Sequence, residues 1–206
     1  TGPLKIQPPA RSRRGEIIAV AQARGGIGAT TVAVNLADML AGGRYRRKAK
    51  EATRVALVDL DLQFGTVGSY LDIADQEALV QIAQDGTIPD ATFLDQAMAR
   101  MPNGLAVLAA PMKFAPLDSL GTAQIEAIID ELRGQYDYVV IDLPRALVGW
   151  VEPVIHSADL LLLVTDVSVS SIRHCRRLAE FFTSDNVALA IDVVVNRQRR
   201  PLFRSS

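Results

Sequence analysis

The chain has 206 residues and a formal net charge of −1, and 49% of its residues are hydrophobic. This length fits one α/β domain with enough apolar surface for a covered core, which excludes a chain that is disordered throughout. The single cysteine cannot form an internal disulfide, and no Cys/His cluster has metal-ligand spacing. This cysteine usage favours a reducing, cytoplasmic compartment, and the longest apolar runs are far too short to span a membrane.

Charge is unevenly distributed along the chain. Acidic residues recur between Arg54 and Arg100, where no Lys or Arg occurs. Basic residues gather in three clusters, at 11–14, 44–50 and 197–204. Such clusters can bind acidic lipid or DNA phosphates, but they are also typical of solvated loops and tails. Membrane or DNA contact therefore stays open.

The chain begins with a segment that has no structural periodicity. Residues 1–15 are rich in proline and charge, which predicts a linker or disordered tail. The remainder, 16–206, is expected to form one domain. Its last residues lack the pattern of an amphipathic membrane helix, so we expect no membrane attachment through them.

From residue 16 onward, strand-like and helix-like segments alternate. Continuous apolar runs predict buried strands at 16–23, 54–62, 104–111, 136–144, 159–166 and 187–196. Helical patterns cover 30–40, two short segments within 66–100, 122–135, 148–157 and 168–182. The first helix places Val32, Leu36, Met39 and Leu40 on one apolar stripe, and Ser168 is expected to cap the last helix. The alternation predicts an α/β fold with a mainly parallel central sheet, covered by helices on both faces.

A glycine-rich segment, RGGIGATT at 24–31, lies between the first predicted strand and helix. Its glycines allow the backbone to approach phosphate, and the following helix N-terminus adds positive potential. Thr30 stands where phosphate-binding loops place a hydroxyl for Mg²⁺, and Thr31 can donate to the inner phosphates. Ala29 stands where these loops carry lysine. The residues expected to line a nucleotide here are Gly25, Gly26, Ile27, Gly28, Ala29, Thr30 and Thr31.

Acidic residues end two of the other predicted strands. Asp59 and Asp61 follow the second strand, and Asp142 ends the run YDYVVID. A single aspartate at a strand end more often caps a helix or forms a turn than takes part in a binding site. Because the carboxyl ends of parallel strands meet at one edge of a sheet, these acids together with the glycine-rich loop predict an assembled Mg²⁺-nucleotide site.

Three stretches resemble the nucleotide motifs of the MinD/ParA superfamily, the deviant Walker A ATPases: RGGIGATTVAVNLA, VALVDLDLQFGTVGSYLDI and YDYVVIDLP. The resemblance runs from about residue 16 to 197. Within the superfamily, DLDLQFG and DLPR are most similar to the CpaE/TadZ proteins of tight-adherence pili. The resemblance implies a three-layer P-loop NTPase fold that uses ATP, ADP and Mg²⁺, and a homodimer formed through the nucleotide face.

The resemblance also implies roles for individual residues. Arg24 stands at the signature lysine, which reaches across the nucleotide-bound dimer. Asp61 would position the attacking water, and Asp59 and Asp142 would support Mg²⁺. Asn196, in VVVNR, would read the adenine edge.

The loss of lysine at position 29 weakens the expected chemistry. Ala29 removes a point charge from the β- and γ-phosphates, whereas Arg24 keeps a cation beside the loop and can act in cis or in trans. We therefore expect a nucleotide-binding switch with weak ATP hydrolysis. By resemblance it would be a cytoplasmic positioning or assembly factor for a pilus or secretion machine, recruited to the inner membrane or cell pole by partners.

Two other functions stay open at the level of sequence. One is a non-hydrolysing scaffold with a vestigial nucleotide site, and the other is a ParA-like DNA-segregation ATPase that uses the basic clusters. His156, His174 and Cys175 have no catalytic spacing and are expected to be ordinary helix residues. Trp150 is equally compatible with an exposed partner contact and with core packing.

Overall fold

The computed structural model describes residues 14–42 and 53–198, and within them seven strands and seven helices form one α/β unit. The strands are β1 (Glu16–Gln22), β2 (Val55–Asp59), β3 (Ala99–Arg100), β4 (Ala106–Leu108), β5 (Tyr138–Asp142), β6 (Leu160–Thr165) and β7 (Ala190–Val195). The helices are α1 (Ala29–Leu40), α2 (Val67–Tyr70), α3 (Ala78–Asp85), α4 (Ala91–Ala97), α5 (Thr122–Gln135), α6 (Val151–Ser157) and α7 (Val169–Asp185). The basic cluster at 44–50, and most of the tail predicted at 1–15 and of the cluster at 197–204, lie outside the described residues.

All seven strands belong to one sheet, in the order β3-β4-β2-β5-β1-β6-β7. Every neighbouring pair is parallel except β3 and β4, which are antiparallel. The central strands are almost completely buried because their residues are apolar on both sides of the chain. The predicted fold class is confirmed.

Two parts of the sheet edges differ from the prediction. The acidic stretch contains three helices rather than two, and it ends in the short strand β3, which was not predicted. At the other edge, β7 pairs only with β6 among the described strands, and most of it is exposed. Val193 and Val195 are about half exposed. An apolar run thus predicted a strand correctly but not its burial.

The buried face of α1 was predicted only in part. The residues that face the core are Ala29, Ala33, Val34 and Ala37. Met39, which was expected on the apolar stripe, is 57% exposed, and the other three predicted residues are only partly buried. Small side chains let α1 lie close against β1, β2 and β5, and Val32, Leu36 and Leu40 pack against the same core while staying partly exposed.

Trp150 belongs to the core. The residue is 2% exposed, and its indole Nε1 donates to the carbonyl oxygen of Leu117 at 2.7 Å. Cys175 is buried. His156 lies one helical turn from Glu152, with 3.9 Å between Nε2 and Oε1. None of the helices described here is long and apolar enough to cross a membrane.

Candidate functional site

The glycine-rich loop joins the end of β1 to the start of α1, as predicted. Gly26 and Gly28 have φ angles of +76° and +91°, a left-handed conformation that favours glycine. Helix α1 begins directly after Gly28, so its first free N–H groups face the carboxyl edge of the sheet. This geometry suits an anion, because unpaired N–H groups and the helix dipole both favour negative charge there.

Asn196, which directly follows β7, is hydrogen-bonded to this loop. Its backbone N–H donates to the carbonyl oxygen of Thr165 at 2.8 Å, and its side-chain Nδ2 donates to that of Ile27 at 2.8 Å. A Cβ added to Gly28 would stand 2.6 Å from this Nδ2. Glycine at position 28 therefore permits both the backbone turn and the approach of the amide. The expected reading of adenine by Asn196 stays a prediction.

Arg24 contacts residues around the start of α7. Its Nε donates to Ser171 Oγ at 2.9 Å, and its NH2 forms an ion pair with Asp166. Asp166 also accepts from the hydroxyl of Ser168 at 2.6 Å and from its N–H at 3.0 Å. The Ser168 hydrogen bonds, together with those from Arg24 and Ser171, hold the pKa of Asp166 well below its ordinary value. In this conformation Arg24 is engaged within its own chain.

Asp59 and Asp142 end two neighbouring strands and are paired in register. Both oxygens of Asp59 accept backbone N–H groups, Oδ1 from Asp61 and Oδ2 from Val67, each at 3.1 Å. Asp59 thus ties the end of β2 to the start of α2. The turn is tight, since a Cβ on Gly65 would stand 2.6 Å from Asp59 Oδ2.

Asp142 differs from Asp59 because one of its oxygens has no partner. Its side chain is buried, and Oδ1 makes no hydrogen bond within the described residues. Burial, and secondarily the charge of Asp59, raises the pKa of Asp142 to about 7, although a hydrogen bond from Thr30 acts in the opposite direction. Burial likewise raises the pKa of Asp59 to about 6. A buried carboxylate with a free oxygen beside a phosphate-loop threonine is suited to a cation.

Asp61 follows β2 and lines a cavity together with residues of the glycine-rich loop. Its Oδ1 accepts from the N–H groups of Gln63 and Phe64 at 3.2 and 3.0 Å, which shapes the turn. Among the described residues no three His, Cys, Asp or Glu side chains converge as a metal-binding group. A Mg²⁺ ion here would therefore take few protein ligands and complete its shell with water and phosphate, as is common for this ion.

The cavity has a volume of about 700 Å³, which is sufficient for a nucleotide. It brings together much of the predicted site, namely Gly25, Gly26, Gly28, Ala29, Thr30, Thr31 and Asp61. The other residues that line it include two aromatic side chains, Phe64 and Tyr70, and two arginines, Arg145 and Arg197. The sequence could have indicated Arg145, because it lies three residues after Asp142. No local sequence signal marks Tyr70. Its hydroxyl lies 3.0 Å from Thr31 Oγ1.

Comparisons with known proteins identify the family of this chain. The family model described as an AAA domain, AAA_31, matches residues 15–191. The septum site-determining protein MinD of Synechocystis sp. is 26% identical over 186 residues, which cover 89% of this chain and 65% of that protein. The sporulation initiation inhibitor protein Soj of Bacillus subtilis is 33% identical over 140 residues, which cover 65% of this chain and 51% of that protein. The chain belongs to the MinD/ParA superfamily of P-loop ATPases.

Solved MinD/ParA structures share the fold. A ParA family ATPase from Chlorobium tepidum superposes with a TM-score of 0.72 at 22% identity, covering 88% of this chain and 74% of that one. MinD from Pyrococcus horikoshii, complexed with Mg-ADP, gives a TM-score of 0.69 at 23% identity, covering 91% of this chain and 72% of that one. These likenesses confirm the predicted fold. This chain spans about two thirds of the length of the MinD relatives, for example 65% of the Synechocystis protein.

Proposed function

We propose that this chain binds Mg-ATP in the cavity beside the glycine-rich loop and acts as an ATP-dependent positioning or assembly factor. The observation that carries the proposal is the free Oδ1 of Asp142, which is buried near Thr30 at the N-terminus of α1. An unpaired buried carboxylate oxygen costs free energy unless a partner is supplied. A magnesium ion bound with nucleotide phosphates is the partner that this donor set fits.

The residues suited to hold the ion are few. The hydroxyl of Thr30 would contact Mg²⁺, and Asp142 would hold its water shell. Asp59 contributes less directly, because both of its oxygens already accept backbone N–H groups. When bound, Mg²⁺ supplies positive charge at the β- and γ-phosphates. Backbone N–H groups of the loop, with Gly25, Gly26 and Gly28 keeping it open, would provide most other phosphate contacts.

Hydrolysis is proposed to be weak. Asp61 lines the cavity and is the acid suited to orient an attacking water, but position 29 offers no cation. Arg24, the other expected source of charge, is paired with Asp166. Since phosphoryl transfer depends mainly on positioning and charge stabilisation, these features favour a switch read through nucleotide occupancy over a fast ATPase.

The assembly that this chain serves, and its protein partners, are proposed from the sequence resemblance. DLDLQFG and DLPR are most similar to the CpaE/TadZ branch, so the function would concern a tight-adherence pilus or a related secretion machine. Exposed apolar side chains around the cavity, Phe64 and Tyr70 among them, support a second copy of the chain as a partner on this face. Recruitment to the inner membrane or pole would then occur through assembly proteins.

Nucleotide-dependent self-association tests this function. In sedimentation velocity, Mg-ATP should raise the dimer fraction of the wild type, and Arg24→Ala should cancel the rise if Arg24 leaves Asp166 to act across the dimer. Arg177→Ala is the matched control, because Arg177 is exposed on α7 and makes no ion pair with a described residue. A wild type that binds ATP but keeps one mass with and without it would favour the scaffold function instead.

A further inference from the structure

The site lacks a side-chain cation at the position where phosphate loops usually carry one. Ala29 is buried at the start of α1 and brings no charge. Asp59, Asp61 and Asp142 place three carboxyl groups at the same edge of the sheet, so a polyanionic nucleotide would enter a region that is already rich in acid. Phosphate binding here needs positive charge beyond the ion itself.

Two basic side chains line the described part of the cavity, Arg145 and Arg197. Arg145 follows Pro144, directly after β5, and one of its guanidinium nitrogens lies 3.9 Å from the position that a Cβ on Gly25 would occupy. The guanidinium is therefore directly beside the phosphate loop. Arg197 lies beyond the end of β7, next to Asn196, on the far side of the loop from β5.

Arg145 is also available for a ligand. It forms no hydrogen bond or ion pair with any residue in the described ranges, 14–42 and 53–198. Arg24, in contrast, is fixed by Asp166 and Ser171. An arginine without a partner beside open backbone N–H groups has the planar, multiply donating head that recognises phosphate oxygens well.

We infer that Arg145 supplies the phosphate-binding cation that Ala29 lacks. The charge enters the site from the turn after β5, next to the acid Asp142, and not from the glycine-rich loop itself. The inference rests on the proposed nucleotide site and goes further, since it assigns recognition of the nucleotide's phosphates to a residue outside the loop. It requires that Arg145 contribute to the affinity for ATP and ADP but not to the affinity for adenosine.

Calorimetric titration with Mg-ATP, Mg-ADP and adenosine tests the inference. Arg145→Gln should weaken ATP and ADP binding by about 10- to 100-fold, the usual loss for a hydrogen bond to a charged group, and leave adenosine binding unchanged. Arg145→Lys should retain part of the wild-type affinity for ATP and ADP. Arg177→Gln controls for the loss of one exposed arginine, and thermal melting checks that each variant is folded.

A second variant distinguishes charge supply from a structural effect. Combining Ala29→Lys with Arg145→Gln returns a cation to the site from the loop, so ATP affinity should recover at least in part. Unchanged ATP and ADP affinity in Arg145→Gln, beside a wild type that binds both, would overturn the inference and leave the proposed function standing. A wild type that binds neither nucleotide would overturn both. Equal losses for adenosine and ATP would also contradict the inference, because they would indicate a general disturbance of the cavity.

Discussion

Arg24 and Asp166 form an ion pair that joins the first residue of the glycine-rich loop to the segment just before α7. The side chain expected to reach across a dimer is thus held by its own chain. Ser171 and Ser168 complete the arrangement, since Ser171 accepts from Arg24 and Ser168 donates to Asp166. A role for Arg24 toward phosphate or a second copy requires this pair to break.

Releasing Arg24 should therefore tighten nucleotide binding. Asp166→Asn keeps the shape of the side chain but removes its charge, so we expect ATP affinity to increase several-fold as Arg24 becomes free to face the phosphates. Calorimetric titration with ATP compares the wild type, Asp166→Asn and the double variant Asp166→Asn/Arg24→Ala. The double variant should lose the increase in ATP affinity. Ser168→Ala is the control, because it removes another hydrogen bond of Asp166 without freeing Arg24. Weaker or equal ATP binding in Asp166→Asn would contradict the prediction.

Stability should fall as pH rises through the neutral range in the absence of Mg²⁺. The pKa of Asp142 is about 7 in the folded protein, against an ordinary value of 3.8. Between these values the folded state keeps a proton that the unfolded state has lost, so folding is favoured at the lower pH, and this contribution is lost as pH passes through about 7. Asp59, with a pKa of about 6, acts in the same direction. Together they should change the free energy of unfolding on the order of a few kcal/mol.

Urea unfolding between pH 5 and pH 8 measures this effect. Asp142→Asn cannot ionise at this position, so its stability should depend less on pH and exceed that of the wild type at pH 8. Asp130→Asn is a matched control, because Asp130 is an exposed carboxylate on α5. A wild type and an Asp142→Asn variant with parallel pH profiles would show that Asp142 is ionised throughout.

Hydrolysis should be slow and should depend on Asp61. We expect turnover below the ~1–100 s⁻¹ typical of kinases, because position 29 lacks a cation. Asp61→Asn should lower phosphate release and leave ATP affinity nearly unchanged, since the amide oxygen can still accept from Gln63 and Phe64 and so keeps the turn. Ala29→Lys should raise turnover only if Asp61 is already placed for catalysis. Fast wild-type hydrolysis that is insensitive to Asp61 would mean that another group positions the water.

The fold and the position of the loop could be predicted from the sequence because both depend on local patterns. Continuous apolar runs marked six of the seven strands, and the positive φ angles of Gly26 and Gly28 agree with the need for glycine there. The two-residue strand β3 has no periodicity of its own. The alanines in the contact face of α1 were missed because the longer apolar side chains, three of which also pack against the core, gave the stronger stripe.

The contacts that define the site come from distant parts of the chain. Arg24 and Asp166 are 142 residues apart, and Asn196 reaches Ile27 across 169 residues. Which cation pairs with an acid and which remains free depends on these tertiary contacts, so the sequence alone could not distinguish Arg24 from Arg145. The structural use of Asp59 has another origin, because the backbone N–H groups that its oxygens accept belong to Asp61 and Val67, only two and eight residues along the chain.

The most direct test of the account is calorimetric titration of Mg-ADP into the wild type, Gly28→Val and Gly86→Val. Gly86 has a φ of +64° with open space around it, so its substitution matches the backbone strain of Gly28→Val at a distance from the loop. At Gly28 the new side chain would also collide with the amide of Asn196 and block the phosphates. We predict saturable binding by the wild type and Gly86→Val, and none by a folded Gly28→Val. Absence of binding by the wild type at millimolar Mg-ADP and Mg-ATP, or equal binding by all three proteins, would contradict a nucleotide site at this loop.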